Sequence, residues 1–527
     1  MDRREFLKVA GTAALTIAAG GLTGCAATAP PPTLRRPAPS GSPSEAIKPP
    51  ATDSDWAELG RQLTGAVVRP GDPSYATDHQ LFHPQFDSIT PAGIVFCASP
   101  SDVQRTIAFA QTHDLPLAPR SGGHSYAGYS TTTGIVCDVT RMANIMQRID
   151  GTAVIGAGAR LIDVYARLAA SGVVVPAGSC PGVGIAGLAL GGGVGIFGRV
   201  FGLTSDNVLA MQLVTAAGDL LTCNANQNSD LYWACRGGGG GNFGILTSLT
   251  MKTHAAPSIT LFSYRWPWAA AADVLAGWQQ WIRTIPNELW SNCHLLSSVA
   301  AGSPTLTVGG AYVGSQLALE PWLKSLSAAV GTRPSGQVVG TYGLLDAIMI
   351  EAGCSGRTAA QCRVAQPGGG GVLEREASIG RSDVVMQPLT ASAITTLIDG
   401  VNRRQGNPQA TTVAGVALDA MGGAINRVSA DATAFVHRSA LCIAQYNATW
   451  PTDAPAAVMQ SNVDDLNRLY AAMRPHASGF AYQNYIDATL PDWQRAYYGT
   501  NLQRLITVKA HHDPSNFFRF AQSIPVA

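Results

Sequence analysis

Several side chains in this sequence could do chemistry beside a glycine-rich backbone: the thiol of Cys180, the imidazole of His124, and the phenols of Tyr482 and Tyr485. Cys180 stands at the entrance of residues 176–207, a stretch with ten glycines between Gly178 and Gly202. Glycine has no Cβ to hold a ligand away, and successive backbone N–H groups make a nest that fits a pyrophosphate. The stretch reads as the diphosphate cradle of a dinucleotide cofactor, with Cys180 reaching the cofactor's ring. His124 lies in a second sharp turn, Arg120-Ser121-Gly122-Gly123-His124-Ser125. Tyr485 is the candidate base for removing a hydroxyl proton, and Tyr482 packs beside it. A free phenol has a pKa of about 10, so it works near neutral pH only beside a cation or hydrogen-bond donors.

Other readings compete. Gly182-Val183-Gly184-Ile185-Ala186-Gly187 also fits GxGxxG, but a nicotinamide-type site needs that pattern after the first strand of a βαβ unit. Here it falls far into the chain. No Gly-Lys-Ser/Thr closes a glycine run, which excludes a phosphate loop of the Walker type. A glycine-rich structural turn is the plain alternative, and with it Cys180 is an inert thiol and His124 a loop histidine. No CxxC or HExxH spacing points to a metal. His511-His512-Asp513 reads as a loop, because adjacent residues do not face one site.

These residues need a framework. Strands at 94–97 and 115–119 flank a helix that Ser99 caps and Pro100 begins, with Val103, Ile107 and Ala110 on one face. That predicts a small βαβ unit, and the His124 turn leaves its second strand. Strands at 135–139 and 154–156, a helix at 161–170 and a strand at 173–175 lead into the cradle. A hairpin at 208–222 and a helix at 230–236 precede a second glycine loop, residues 237–244, and a strand at 245–251. Residues 55–256 are thus an α+β cofactor domain. From Pro257 the pattern changes. Alternating strands at 305–312, 413–418 and 440–448, mixed with amphipathic helices such as 272–285, predict an antiparallel sheet with helices over one face. Residues 257–478 form this substrate domain, and residues 479–527 return to the cofactor domain.

A chain of 527 residues exceeds one ordinary domain. Its 46% hydrophobic and 13% charged residues describe a globular protein, and a net charge of +1 leaves no basic footprint for nucleic acid. Residues 1–25 carry Arg3-Arg4, a 14-residue apolar run to Leu22 and then Leu22-Thr23-Gly24-Cys25. The run is short for a bilayer span. It predicts a twin-arginine signal with Cys25 as an acylated lipoprotein cysteine. The protein would then sit in the cell envelope, outside the cytoplasmic membrane and held to it only by that lipid. Residues 26–54 follow as a tether, with eight prolines within 26–50. In an oxidising compartment Cys354 and Cys362, close in a polar stretch, are expected to pair. Cys97, Cys137, Cys223, Cys235 and Cys442 lie in apolar runs and read as buried thiols.

Taken in order, the His124 turn through Tyr126, Gly178-Ser179-Cys180-Pro181-Gly182-Val183-Gly184, Asp230-Leu231-Tyr232-Trp233-Ala234-Cys235-Arg236-Gly237, Gly241-Asn242-Phe243-Gly244 and Tyr482-Gln483-Asn484-Tyr485 resemble the berberine-bridge-enzyme-like branch of the vanillyl-alcohol-oxidase flavoprotein superfamily. The resemblance runs from about Pro91 to Pro525 and is closest to a bacterial exported branch. It implies a two-subdomain FAD-binding domain built from both chain ends, plus a substrate domain with an antiparallel sheet. It also implies FAD bonded through His124 and Cys180. The motifs then place Arg120, Ser121, Gly122, Gly123, Ser125, Gly184, Gly187, Gly192, Gly195, Asn242, Gly244 and Asn484 at the cofactor. Plant relatives often carry a Lys-x-Gln pair on one sheet strand. Here the positions are Ile443 and Gln445, so the lysine is absent and bacterial sugar or polyketide oxidases are the better comparison. Asp419 and Arg438 either line the pocket or form structural ion pairs. The expected activity is oxidation of an alcohol on a sugar or a glycosylated or phenolic metabolite, with oxygen or another electron acceptor reoxidising the flavin. The alternative is a non-catalytic flavin- or ligand-binding lipoprotein on the same fold.

Overall fold

The computed structural model describes residues 50–297, 302–366, 369–410 and 412–527. The expected signal, Cys25 and nearly all of the expected tether lie outside the described residues. Among those described, no helix is long and apolar enough to cross a membrane.

The N-terminal half holds a four-stranded sheet, a five-stranded sheet and the short pair Val173–Val174 with His254–Ala255. The first runs Ala66–Val68, Gly93–Phe96, Ile135–Asp138, Leu117–Arg120 in spatial order. Its first pair is antiparallel and the others are parallel. Ser99 caps the helix Pro100–Thr112 by accepting from the Asp102 amide at 3.2 Å. The buried Asp102 carboxylate in turn accepts from the amides of Thr64, Gly65 and Ala98 at 3.0, 3.0 and 2.9 Å. The βαβ expectation needs one correction. The two flanking strands are not neighbours, because Ile135–Asp138 inserts between them and pairs with both. The second sheet, Ile145–Gln147, Thr152–Gly156, Ile245–Lys252, Val208–Val214, Leu220–Asn224, is antiparallel throughout. The GxGxxG segment opens the short helix Ile185–Leu190, but no strand leads directly into it. The nicotinamide-type alternative therefore fails on its own structural condition.

The second half is one seven-stranded antiparallel sheet in the order Gly336–Tyr342, Ile259–Trp266, Thr305–Val313, Leu289–Ser297, Ala414–Ala420, Cys442–Trp450, Ala377–Val385. Side chains alternate between its faces. Cys293, Leu295, Val308, Val416, Leu418, Ala444 and Tyr446 bury one face under the helices Ala271–Trp281, Gln316–Val330, Ala391–Gln405 and Ala456–Met473. Leu319, Leu323, Leu326 and Val330 recur at four- and three-residue intervals, which gives the second of these helices its buried stripe. Trp278, fully buried at the centre, donates its indole N–H to Ser291 Oγ at 3.0 Å. Truncating such a side chain to alanine costs about 3–5 kcal/mol.

The C-terminal helix Leu502–His512 packs on the first half, against Ser229–Ala234. The buried Lys509 ammonium donates to Asn242 O, Phe518 O and Asp513 Oδ2, each at 2.7 Å. Cys354 and Cys362 form a disulfide with a Cα separation of 5.7 Å. Their setting is not polar: both are fully buried with Ile162 and Met349, which joins the disulfide segment to the cofactor half.

Candidate active site

The other face of the large sheet, turned toward the cofactor half, carries a polar patch among apolar residues. Asp419 stands between its cross-strand partners Asn292 and Ile443. Two residues along, Ala417 stands between His294 and Gln445. Directly opposed residues share a face, so these six form one patch. Burial holds His294 down to about 4, so it is neutral. Burial lifts Asp419 to about 7. Burial, and then the proximity of Asp419, lift Glu351 to about 7 as well. Glu351 ends the helix Leu344–Glu351.

Facing this patch is the His124 loop. The Tyr126 phenol accepts from Gln445 Nε2 at 2.8 Å and lies parallel to Tyr485, centroids 5.8 Å apart with a 6° interplanar angle. Tyr485 packs on the apolar cluster that contains Ile443 and Tyr482. It does not sit on a strand with Tyr482. Residues Gln483–Tyr485 make a 3-10 turn, which lets both rings reach one region. The two rings meet edge to face at 5.0 Å.

Among the described residues, none of the groups acting on Tyr485 is a cation that would lower its phenol. Burial first, then Asp419, Tyr126, Tyr482 and Cys180, all push it well above its ordinary value. Tyr482 is committed elsewhere, since its oxygen accepts from the Gly193 amide and from Asn484 Nδ2, both at 2.9 Å. Burial outweighs those donors and lifts it to about 12. Burial sets the carboxyl of Asp419 near neutrality, the range in which a group exchanges protons readily. Arg438, the other open case, is structural: it forms a buried ion pair with Asp206 at 2.7 Å.

The two cofactor loops are bound to each other. Arg160 Nη1 donates to Gly122 O and Gly182 O, both at 2.8 Å. A Cβ on Gly122 would lie 2.1 Å from the Gly184 amide, and one on Gly184 would lie 2.1 Å from Ser121 Oγ. Only glycine allows that approach. The His124 ring is stacked on Phe82 at 4.0 Å, and its Nε2 is buried with no hydrogen-bond partner. Burial, and then the charges of His83 and Arg160, hold its pKa well below the usual range, so it is neutral with a free lone pair. Cys180 is open to solvent, though its surroundings and Glu376 lift the thiol to about 11. Gly187 is exposed, and a Cβ there would meet nothing within 4 Å. Across the gap, a Cβ on Gly240 would meet only Gly187 and Leu190, at 3.9 Å. An orphaned imidazole nitrogen, an accessible thiol and an open slot between two glycine loops fit a flavin dinucleotide.

Several residues expected at the cofactor have side chains engaged within the protein. Arg120 is paired with Asp138 at 2.5 Å, both buried. Ser121 Oγ donates to Ala157 O at 2.6 Å, and Ser125 Oγ accepts from the Tyr129 amide at 3.1 Å. The Asn242 side chain donates to Gly238 O and accepts from the Ile524 amide. Asn484 donates to Leu188 O at 3.0 Å. The space beside Gly123, Gly192, Gly195 and Gly244 is taken by Leu81, Phe435, Ala177 and Leu213. Sequence reasoning missed Tyr126, Arg160, Glu351, Asn292, His294 and Phe82. Only Tyr126 had a signal, two residues beyond His124 in the same motif.

This fold and site define an FAD-linked oxidoreductase. Residues 91–224 match the FAD binding domain family, and residues 481–525 match the family described as berberine and berberine like. The FAD-linked oxidoreductase YgaK of Bacillus subtilis is 33% identical over 473 residues, 88% of this chain and 97% of that one. The solved structure of BBE-like 1 from Physcomitrella patens superposes with a TM-score of 0.81 at 32% identity, covering 90% of this chain and 99% of the other. The xylooligosaccharide oxidase of Myceliophthora thermophila, solved with xylobiose, superposes with a TM-score of 0.78 at 25% identity over 89% of this chain and 98% of that one. The chain belongs to the berberine-bridge-like family of FAD-dependent oxidoreductases.

Proposed function

We propose that this enzyme oxidises a carbinol carbon of a neutral, hydroxyl-rich substrate, a sugar or a glycosylated or phenolic metabolite, with Asp419 as the base. The observation that carries this reading is the Asp419 carboxyl at about 7 in the polar patch with Asn292, His294 and Gln445. None of these four is a cation at neutral pH, so the patch recognises hydroxyls by hydrogen bonds rather than by charge pairing. The xylobiose bound by the Myceliophthora thermophila relative is a molecule of that chemistry.

His124 and Cys180 would hold the flavin, which when bound accepts a hydride from the carbinol carbon. Neutral His124 offers a lone pair for one bond, and Cys180 a thiol for the other. Arg160 ties their loops so that both keep their places. As the hydride leaves, Asp419 takes the hydroxyl proton on a carboxylate oxygen. Tyr485 and Tyr126 wall the site and exclude water. Oxygen or another acceptor would then reoxidise the flavin. The twin-arginine signal and a lipid on Cys25 would place this reaction in the cell envelope.

The test is anaerobic mixing of the yellow protein with a panel of oligosaccharides, free sugars and phenolic alcohols. Bleaching of the flavin band by one class, slowed strongly in Asp419→Asn, supports the reading. A panel that leaves the band unchanged, in a protein whose flavin still photoreduces and recovers in air, would sink the substrate class.

A further inference from the structure

His511 and His512 are adjacent, and a regular helix turns neighbouring side chains about 100° apart. Yet both rings converge on one carboxylate. They lie at the end of the helix Leu502–His512, beside the short helix Ser229–Ala234 that carries Asp230. His512 reaches Asp230 Oδ2 with its far nitrogen, Nε2, at 3.0 Å. His511 reaches the same oxygen with its near nitrogen, Nδ1, at 3.3 Å. One long reach and one short reach compensate the angle between them. The sequence expectation that this pair is a plain loop is thereby corrected.

We propose that Asp230, His511 and His512 form a divalent transition-metal site of zinc type that pins the C-terminal helix to the cofactor domain. The three ligand atoms lie within 4.8 Å of one another. With metal–ligand bonds of 2.0–2.1 Å, the edge of a tetrahedron is about 3.3 Å. The two N–O separations therefore already match a metal's coordination edge. Two imidazoles and one carboxylate favour zinc over magnesium or calcium, which prefer all-oxygen sets. The His512 side chain is 10% exposed, Asp230 39% and His511 73%. Protein closes one side of the site, and water fills the remaining positions on the other. Binding replaces the two N–H donors facing Asp230 Oδ2 by the metal, so two protons move to the other ring nitrogens or to solvent. The site lies one turn beyond Lys509, which holds the Asn242 carbonyl at 2.7 Å. Helix Ser229–Ala234 leads through Cys235 and Arg236 into the glycine loop opposite Gly187. A metal would cross-link the two segments that frame that loop. The role is structural and does not depend on the substrate assigned above.

The test uses the full-length holoprotein, freed of metal with a chelator and then titrated with zinc, with magnesium as a control. One zinc per chain is expected, with a rise in Tm that magnesium does not give. His511→Ala, Asp230→Asn and His512→Ala should each lower zinc affinity by about 10²-fold or more, beyond the cost of losing an outer hydrogen-bond partner. Their flavin absorbance should stay that of the parent. The His511 ring is mostly in solvent, so its variant keeps the fold and decides the matter even if His512→Ala does not. No zinc bound at micromolar free metal, or an equal Tm rise in parent and His511→Ala, overturns the proposal and leaves two hydrogen bonds to a carboxylate.

Discussion

Gln445 Nε2 donates to the Tyr126 phenol across 2.8 Å, joining the strand Cys442–Trp450 of the substrate sheet to the loop that carries His124. The bond couples the floor of the pocket to the flavin side of the site. Gln445→Leu leaves Tyr126, a buried phenol, without its donor. It should cost about 1–3 kcal/mol of stability, read as a lower Tm, and raise KM more than it lowers kcat. Tyr126→Phe removes both the need and the bond, so its loss should be smaller. Equal losses would mean that the bond contributes nothing beyond packing.

Asp419→Asn should slow anaerobic flavin reduction by roughly 10²–10⁴-fold, the usual worth of a general base. In the parent, kcat/KM should rise with pH through about 7 and level off above it, because the base must be ionised. The variant should lose that acidic limb. Tyr485→Phe, which removes a phenol held far above neutrality, should leave the limb in place. A Tyr485 variant that loses the limb while Asp419→Asn retains it would restore the phenol as base.

The same carboxyls make stability pH-dependent. Asp419 and Glu351 rise from ordinary values of 3.8 and 4.5 to about 7 on folding. The folded protein therefore binds more protons than the unfolded chain across that interval, and their contribution to stability is lost as pH rises from about 4 to about 7. Denaturant titrations of Asp419→Asn and Glu351→Gln should show a flatter fall over this window and a gain over the parent at pH 8. A parent whose stability rises through the window from these two groups would contradict the burial argument.

Flavin attachment through both His124 and Cys180 predicts that acid-precipitated protein stays yellow and weighs one FAD more than the chain. His124→Ala and Cys180→Ala should each retain flavin through the remaining bond, and the double variant should release it. Arg160→Met, which unties the two loops, should lower the fraction of chains loaded while leaving the secondary structure intact. Release of free FAD from the parent on precipitation would refute covalent attachment.

Replacement of Arg3 and Arg4 by lysine should leave the chain in the cytoplasm, and Cys25→Ser should stop acylation. Fractionation and mass measurement of the N-terminus check both. Export of the double-lysine variant at the parent's level would remove the twin-arginine assignment.

The sequence by itself determined the parts that are local. Backbone approach without a Cβ is written in glycine, so Gly122 and Gly184, where the two loops touch, stand out as a string. Alternation and helical spacing are equally local, and they gave the antiparallel sheet with its helical cover. The resemblance brought the family and FAD. Tertiary structure alone decided which side chains meet. Burial, Asp419 and Tyr126 push the Tyr485 phenol up, which is why Asp419 is proposed as the base. Arg120 is taken by Asp138, and Asn242 by Ile524, so side chains inside cofactor motifs are engaged within the protein. Glu351 and Arg160 reach the site from helices and loops with no pattern of their own. Asp230 meets His511 and His512 across more than half the chain. A pKa, a hydrogen-bond partner and a ligand set depend on distances through space, and chain order fixes those only once the backbone has folded.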